Sequence, residues 1–295
     1  MQTNVKVKVE NTDKAGDFSQ SAVEKFEEPI VNLPLTSQKS WEDKVRHYTA
    51  PFKRYGNVYQ ATASFSATVE TRAFVNSDGS VLQTSQPSYR LSISAFAKAA
   101  DGMELPRTET FYSASLEGLP TDEVVLGTVA KMAKDLQILK LAPLMDPYSG
   151  PAILSPRATG VFFHEIFGHR IEGQRTKNED DGQTFKDKVG QKILPDFLSV
   201  YSDPTLKSLG KMELSGHYRY DNQGVRGKRV PVVEKGVLKN FLMSRTPIDG
   251  FDTSNGHGRR QPGFLVESRQ SNLVVEASES QSREQLRTGQ SRHDG

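Results

Sequence analysis

The hydrophobic and polar positions of this chain change period along its length. Val5, Val7 and Val9 alternate with Lys6, Lys8 and Glu10, which predicts a strand over residues 4–10. Residues 11–40 are polar and broken by Pro29 and Pro34, so they read mostly as loop. Trp41 to His47 reads as a short helix. From Val58 to Tyr112 the period is two. Thr71–Val75 and Ser80–Thr84 flank Asn76-Ser77-Asp78-Gly79, a hairpin turn in which Gly79 can take positive φ. Tyr89, Leu91, Ile93 and Ala95 then mark one buried face of a strand, and Asp101-Gly102 makes a second turn toward Arg107–Tyr112.

The first helical period follows. Pro120-Thr121-Asp122-Glu123 carries a capping hydroxyl and first-turn acids. Val125, Val129, Met132, Leu136 and Leu139 recur at steps of four and three, one apolar stripe aimed at a sheet. Pro143 and Pro147 end it. Ser155-Pro156 opens a second helix, with a serine N-cap and a proline where its missing N–H is harmless. Val161, Phe162, Phe163, Ile166 and Phe167 make this helix apolar on nearly every side, which predicts burial. Gly173 is placed to end it. Residues 174–190 are polar and read as an exposed loop. Lys177-Asn178-Glu179-Asp180-Asp181 within it reads as solvated. The β pattern returns with Arg229–Glu234 and Val237–Met243 around a Lys235-Gly236 turn, and again at Leu273–Glu276.

These elements give an α+β fold of antiparallel sheets with two main helices, about 121–141 and 156–172. Residues 1–150 read as an α+β N-terminal region. Residues 151–277 read as the second helix plus a β-rich C-terminal region, and 278–295, without apolar period, as a disordered tail.

Composition narrows the chemistry. The 295 residues suffice for one large or two ordinary domains. Apolar residues make up only 35%, but 15 Phe and 9 Tyr supply core material. A net charge of +2, from 38 basic and 36 acidic residues without a polybasic cluster, gives no nucleic-acid footprint. No signal-peptide pattern or membrane-spanning apolar run occurs, which predicts a cytoplasmic protein. Cysteine is absent, so disulfides, thiolate metal sites and cysteine nucleophiles are excluded within this chain.

The second helix carries His164, Glu165, His169 and Glu172. Ionisable groups on a buried helix need partners or a metal. Neutral imidazoles are good zinc ligands, and a neighbouring carboxylate can accept a proton from an attacking water. The two histidines are five residues apart. At roughly 100° per residue they would diverge by about 140° on a regular helix. Both reach one metal only if the helix is distorted or ending, by a π-type bulge for example, with Gly168 easing the distortion. On a regular helix Glu165, His169 and Glu172 share a face instead, a competing ligand set. Hydrogen-bonded core groups without a metal are a third possibility.

Gly160-Val161-Phe162-Phe163-His164-Glu165-Ile166-Phe167-Gly168-His169-Arg170-Ile171-Glu172-Gly173 resembles the signature of the TldD/PmbA metallopeptidases, with its His-Glu-three-His motif followed by Glu-Gly. Ala142-Pro143, Gly150-Pro151-Ala152-Ile153-Leu154, Gly182-Gln183-Thr184-Phe185, Tyr220-Asp221-Asn222-Gln223-Gly224, Glu234-Lys235-Gly236-Val237-Leu238, Asn255-Gly256-His257-Gly258-Arg259-Arg260 and Ser271-Asn272-Leu273 also fit. The resemblance runs from about residue 70 to residue 276. It implies a zinc-dependent peptidase acting on peptides or unfolded protein segments. His164 and His169 would be ligands and Glu165 the general base. It also implies an oligomer, with a PmbA-type partner subunit or a homodimer, and substrate strands that pair with a sheet edge. The family's third protein ligand is a C-terminal cysteine, which this chain lacks, and family members are longer. The chain is therefore expected to be truncated at both ends. Glu172 and His257 are candidate substitute ligands. Arg259 and Arg260 are candidate contacts for a substrate carboxylate, against the alternative of a solvated turn. The other reading is a catalytically incomplete homologue that binds peptides or serves as a partner subunit.

Overall fold

The computed structural model describes residues 16, 18–34, 38–178, 180 and 183–288. The expected strand at 4–10, Glu179 and Asp181 of the charged run, and the last seven residues lie outside them.

A short strand β1 (Lys25–Glu27) precedes helix α1 (Gln38–Thr49), which extends past the expected Trp41–His47 at both ends. Strands β2 (Val58–Val75), β3 (Val81–Lys98) and β4 (Glu104–Ser113) follow, then helix α2 (Asp122–Leu141). β2 and β3 form one long hairpin in register from Ala61↔Ala95 to Val75↔Val81. Its turn closes through Gly79 N–H to the Asn76 carbonyl at 3.2 Å, with Gly79 at φ +99°. β4 and the parallel β1 share the other edge of β3.

Tyr89, Leu91, Ile93, Ala95 and Ala97 fill one face of β3 and are buried. Against them pack Val125, Val129, Met132 and Leu136 of α2, the stripe expected from the sequence, with Tyr48 and Phe52 from α1 and the turn after it. Each such large side chain contributes roughly 1.5–3 kcal/mol by leaving water. The other face of the hairpin is polar, with Ser94 and Thr108 hydroxyls paired across strands at 2.9 Å. The Thr121 hydroxyl makes no capping bond to α2. Instead Asp122 of the first turn accepts from the Tyr48 hydroxyl at 2.5 Å and from Lys44 at 3.2 Å, which ties the two helices together.

Helix α3 (Pro156–Phe162) is capped by Ser155, whose hydroxyl accepts the Ala158 N–H at 3.3 Å. It passes into a π turn at Phe163–Phe167 and a 3₁₀ turn at Gly168–Ile171. The expectation of all-round burial fails here. Val161, Phe162 and Ile166 are 58%, 47% and 51% exposed. Only the stripe Phe163, Phe167 and Ile171 turns into a core, at steps of four, and no described residue covers the opposite side. The helical segment ends at Ile171 as expected, with Glu172 in extended backbone at φ −75°, ψ 100°. A further 3₁₀ turn runs from Gly173 to Lys177, and Gly173 sits where a Cβ would lie 2.5 Å from the Met243 sulfur. The expected exposed loop after it is partly packed. Thr176 is buried, and Phe185, in a turn at Gln183–Phe185, lies 5.7 Å from Phe167 between ring centres.

The C-terminal half holds β5 (Leu198–Ser202), the small pair β6 (Ser208–Leu209) and β7 (Met212–Glu213), then β8 (Val230–Glu234), β9 (Val237–Leu238), β10 (Gly258–Arg259), β11 (Glu267–Ser268) and β12 (Leu273–Ala277). The main sheet is antiparallel in the order β12-β5-β8-β9. The β8–β9 hairpin turns at Lys235 (φ +45°) and Gly236 (φ +77°). β9 pairs for only two residues, because Phe241, Leu242 and Met243 leave the ladder to line the second core. Leu242 instead bonds the helical segment, donating to the Ile171 carbonyl at 2.8 Å and accepting the Gly173 N–H at 2.9 Å. Part of the expected disordered tail is helical. α4 (Arg283–Thr288) starts at a reciprocal Ser282–Gln285 cap, with bonds of 2.8 and 3.1 Å.

Gly173→Ala is expected to lower stability by about 1–3 kcal/mol, since the new methyl must displace Met243 or the Leu242 backbone. Chemical denaturation checks this as a lower midpoint with an unchanged m-value. An unaltered midpoint would mean that the close approach is not needed.

Candidate metal centre

The five-residue spacing of the two histidines is resolved by the π turn. The Gly168 N–H is shared between the His164 carbonyl, its ordinary acceptor, and the Phe163 carbonyl, an i→i+5 bond that widens one turn of the backbone. Residues five apart then rise on the same side. The rings of His164 and His169 stand 4.7 Å apart between centroids. Carbonyls displaced from regular bonding are met by Arg170, whose guanidinium donates to Ile166 at 2.6 Å and Glu165 at 3.3 Å. Gly168 has ordinary helical angles (φ −60°, ψ −44°), so conformational freedom is not why it is glycine. A Cβ there would collide with the side-chain amide of Gln270. That amide reaches the His164 carbonyl at 3.4 Å and holds the turn against the end of β11.

His164, Glu165 and His169 each offer one ligand atom, and the three atoms lie within 4.8 Å of one another. Glu165 carboxylate oxygens stand 3.7 Å from His164 Nε2 and 3.8 Å from His169 Nε2. Both imidazoles therefore turn Nε2 toward a shared point, which suits a borderline-soft cation such as zinc. His164 is 50% exposed, Glu165 59% and His169 30% in their side chains, so the site is open to a substrate. This exposure also corrects the desolvation argument from sequence. Only Glu172, at 1%, is truly buried, and what brings the trio together is backbone geometry.

Glu172 lies behind His169. Both its oxygens are 3.2 Å from His169 Nδ1. Arg175 Nε donates to it at 2.6 Å and Arg269 Nη1 at 3.3 Å. Arg175 carried a usable signal, three residues after Glu172. Arg269 and Gln270 carried none, because they arrive from the segment after β11, 97 and 106 residues away from their partners.

His257 belongs to another network and is fully buried. Its Nε2 meets Ser202 Oγ at 3.1 Å, and its Nδ1 meets Asn255 Oδ1 at 3.1 Å. The order Ser–His–Asn looks like a nucleophile relay, but Ser202 is also fully buried and no substrate can reach it. Arg259 stacks on Tyr218, 4.2 Å from the ring centre. Arg260 lines a cavity of about 290 Å³ with Glu70, Arg72 and Asp221. The structure thus gathers His164, Glu165, His169 and Glu172, and sets His257, Arg259 and Arg260 in a separate neighbourhood.

Residues 38–141 match the PmbA/TldA metallopeptidase central domain, and residues 147–291 the C-terminal domain of the same metallopeptidases. The chain belongs to the PmbA/TldD metallopeptidase family. It is 29% identical over 219 residues to a metalloprotease of Methanothermobacter thermautotrophicus, covering 74% of this chain and 45% of that protein. A zinc metalloprotease TldD homolog of Saccharolobus solfataricus is 34% identical over 95 residues, 32% of this chain and 20% of its own. This chain therefore spans about half or less of the curated relatives it matches. Two solved structures share its fold. A putative modulator of a DNA gyrase from Thermotoga maritima gives a TM-score of 0.65 at 17% identity, over 91% of this chain and 60% of that one. TldE from Thermococcus kodakarensis gives 0.58 at 17% identity, over 90% and 60%. Among the described residues, no helix is long and apolar enough to cross a membrane.

Burial pushes the His257 imidazole down to about 4 and the Asp221 carboxyl up to about 6. An unfolded chain protonates His257 near 6.5, so this residue's contribution to stability is complete above 6.5 and is lost as pH falls toward 4. Asp221 acts in the opposite sense below about 6, which masks the loss in the wild type. The stability difference between wild type and His257→Asn is therefore expected to shift against the wild type by about 3 kcal/mol from pH 7 to pH 4. Parallel pH–stability curves would contradict the buried neutral imidazole.

Proposed function

We propose that the chain carries the zinc centre of a TldD-type metallopeptidase that cleaves peptides or unfolded protein segments. The observation that carries this reading is the π turn, which converts an unfavourable five-residue spacing into a paired imidazole site with Glu165 beside it. His164 and His169 would hold the metal through Nε2. When bound, zinc supplies Lewis acidity toward the peptide carbonyl and the attacking water. Glu165 accepts the proton of that water and returns it to the leaving amine, a role its position beside both imidazoles supports. Glu165 is exposed, so a substrate and a water can both reach it. The zinc named for the Saccharolobus solfataricus homologue supports the choice of metal.

The fold shared with TldE supports assembly with a PmbA-type partner subunit, or with a second copy. A second reading is that the chain binds peptides or serves as a partner subunit without catalysing cleavage. In either case we place it in the cytoplasm, without a membrane or nucleic-acid partner.

Glu165→Gln is expected to lower peptide cleavage by about 10²–10⁴-fold while zinc stays stoichiometric. His164→Ala is expected to lose the zinc. Mass-spectrometric cleavage assays and elemental analysis read the two. Cleavage that persists in Glu165→Gln would remove the general base from its role. A zinc-loaded wild type that binds peptides without cutting them would establish the second reading.

A further inference from the structure

Glu172 is buried, while the three groups beside it are half open to solvent. Its position follows from the backbone. Glu172 caps the 3₁₀ turn Gly168–Ile171 three residues after His169, with extended backbone that sets its carboxylate against the Nδ1 side of that ring. Its backbone is fixed by the bridge to Leu242. Its carboxylate is fixed by Arg175 and Arg269, which offset its charge away from water. A carboxylate so held offers only acceptors, and the atom it faces is His169 Nδ1, at 3.2 Å from both oxygens.

We infer that Glu172 is the positioning residue of the centre: it takes the proton of His169 Nδ1 in a hydrogen bond and thereby presents Nε2, unprotonated and aimed at the shared point, to the metal. This rests on the zinc reading above. A neutral imidazole carries one N–H, and the partner of that N–H decides which nitrogen is free. Glu172 therefore acts through His169 and does not itself ligate the metal or touch substrate. Arg175 and Arg269 belong to the same device, because without them a buried carboxylate would have no compensating charge. Among the described residues, the carboxylate beside His164 is Glu165, on the Nε2 side. The two ligands are thus unequal, with His169 pre-set and His164 adjustable.

The experiment has two readouts, one of them independent of the metal. Long-range ¹H–¹⁵N correlation on histidine-labelled, metal-free chain reports the tautomer of His169 at a pH where it is neutral. Zinc affinity is measured by competition with a chromophoric chelator. The wild type is expected to show the Nδ1–H tautomer. Glu172→Ala is expected to lose it and to bind zinc about 10–100-fold more weakly. Glu172→Asp, which keeps the charge against both arginines, is expected to restore the tautomer in part, and it tests the inference if the alanine variant does not fold. An Nε2–H tautomer in the wild type, or variants that change neither tautomer nor affinity, would overturn the inference. A wild type with the Nδ1–H tautomer but no zinc would instead overturn the metallopeptidase reading and leave the positioning contact standing.

Discussion

A helix that keeps its usual register cannot bring His164 and His169 to one point, so this centre depends on one hydrogen bond shared between two registers. The Gly168 N–H is shared between its normal acceptor, the His164 carbonyl, and the Phe163 carbonyl one residue further back, and the turn widens. That register is less favourable than the α-helix and needs support from outside. Support comes from three sides. Arg170 satisfies the carbonyls of Glu165 and Ile166. Gln270 fills the space beside Gly168. Phe163, Phe167 and Ile171 anchor the inner side in the second core. The distortion is therefore part of the tertiary packing, and the segment alone would not hold it.

The same packing explains the two glycines of the motif. Gly168 and Gly173 both have neighbours where a Cβ would stand, Gln270 in one case and Met243 with the Leu242 backbone in the other. Each allows the helical segment to approach a connecting segment of the C-terminal half closely. The motif is joined to the C-terminal half through the Leu242 bridge and through Arg269 and Gln270, which follow β11 and reach Glu172 and His164. Fold and site are coupled through this seam. The long hairpin and its helices α1 and α2 form a core of their own, joined to the motif by contacts such as Arg157 with Glu109 at 2.6 Å.

Much of the fold was legible in the sequence because it rests on local period. The β2–β3 hairpin, its Asn-Ser-Asp-Gly turn, the α2 stripe and the Lys235-Gly236 turn all follow from alternation or from residues suited to one backbone conformation. The site was legible in part. The five-residue spacing required a distorted helix, and a π turn is what the structure contains. Burial was misjudged where composition alone had to decide. Val161, Phe162 and Ile166 read as core but are exposed, since an apolar residue does not specify which side of a helix has a neighbour. The end of the helical segment before Gly173 was legible, but the reason for the glycine was not, because glycine serves both positive φ and close approach and sequence does not separate the two. Arg269 and Gln270 were invisible because their roles depend on pairing across roughly a hundred residues. The Ser282–Gln285 cap was readable and was overridden by the polar composition around it.

The claim on which the rest depends is that one zinc ion is held by both histidines of the distorted turn. Zinc K-edge X-ray absorption on the loaded chain tests it directly. The expected spectrum has a first shell of nitrogen and oxygen without sulfur, and outer-shell scattering from two imidazoles that falls to one in either single His→Ala variant that still retains metal. Zinc that fails to bind stoichiometrically, or a spectrum unchanged when both His164 and His169 are replaced, would contradict the account.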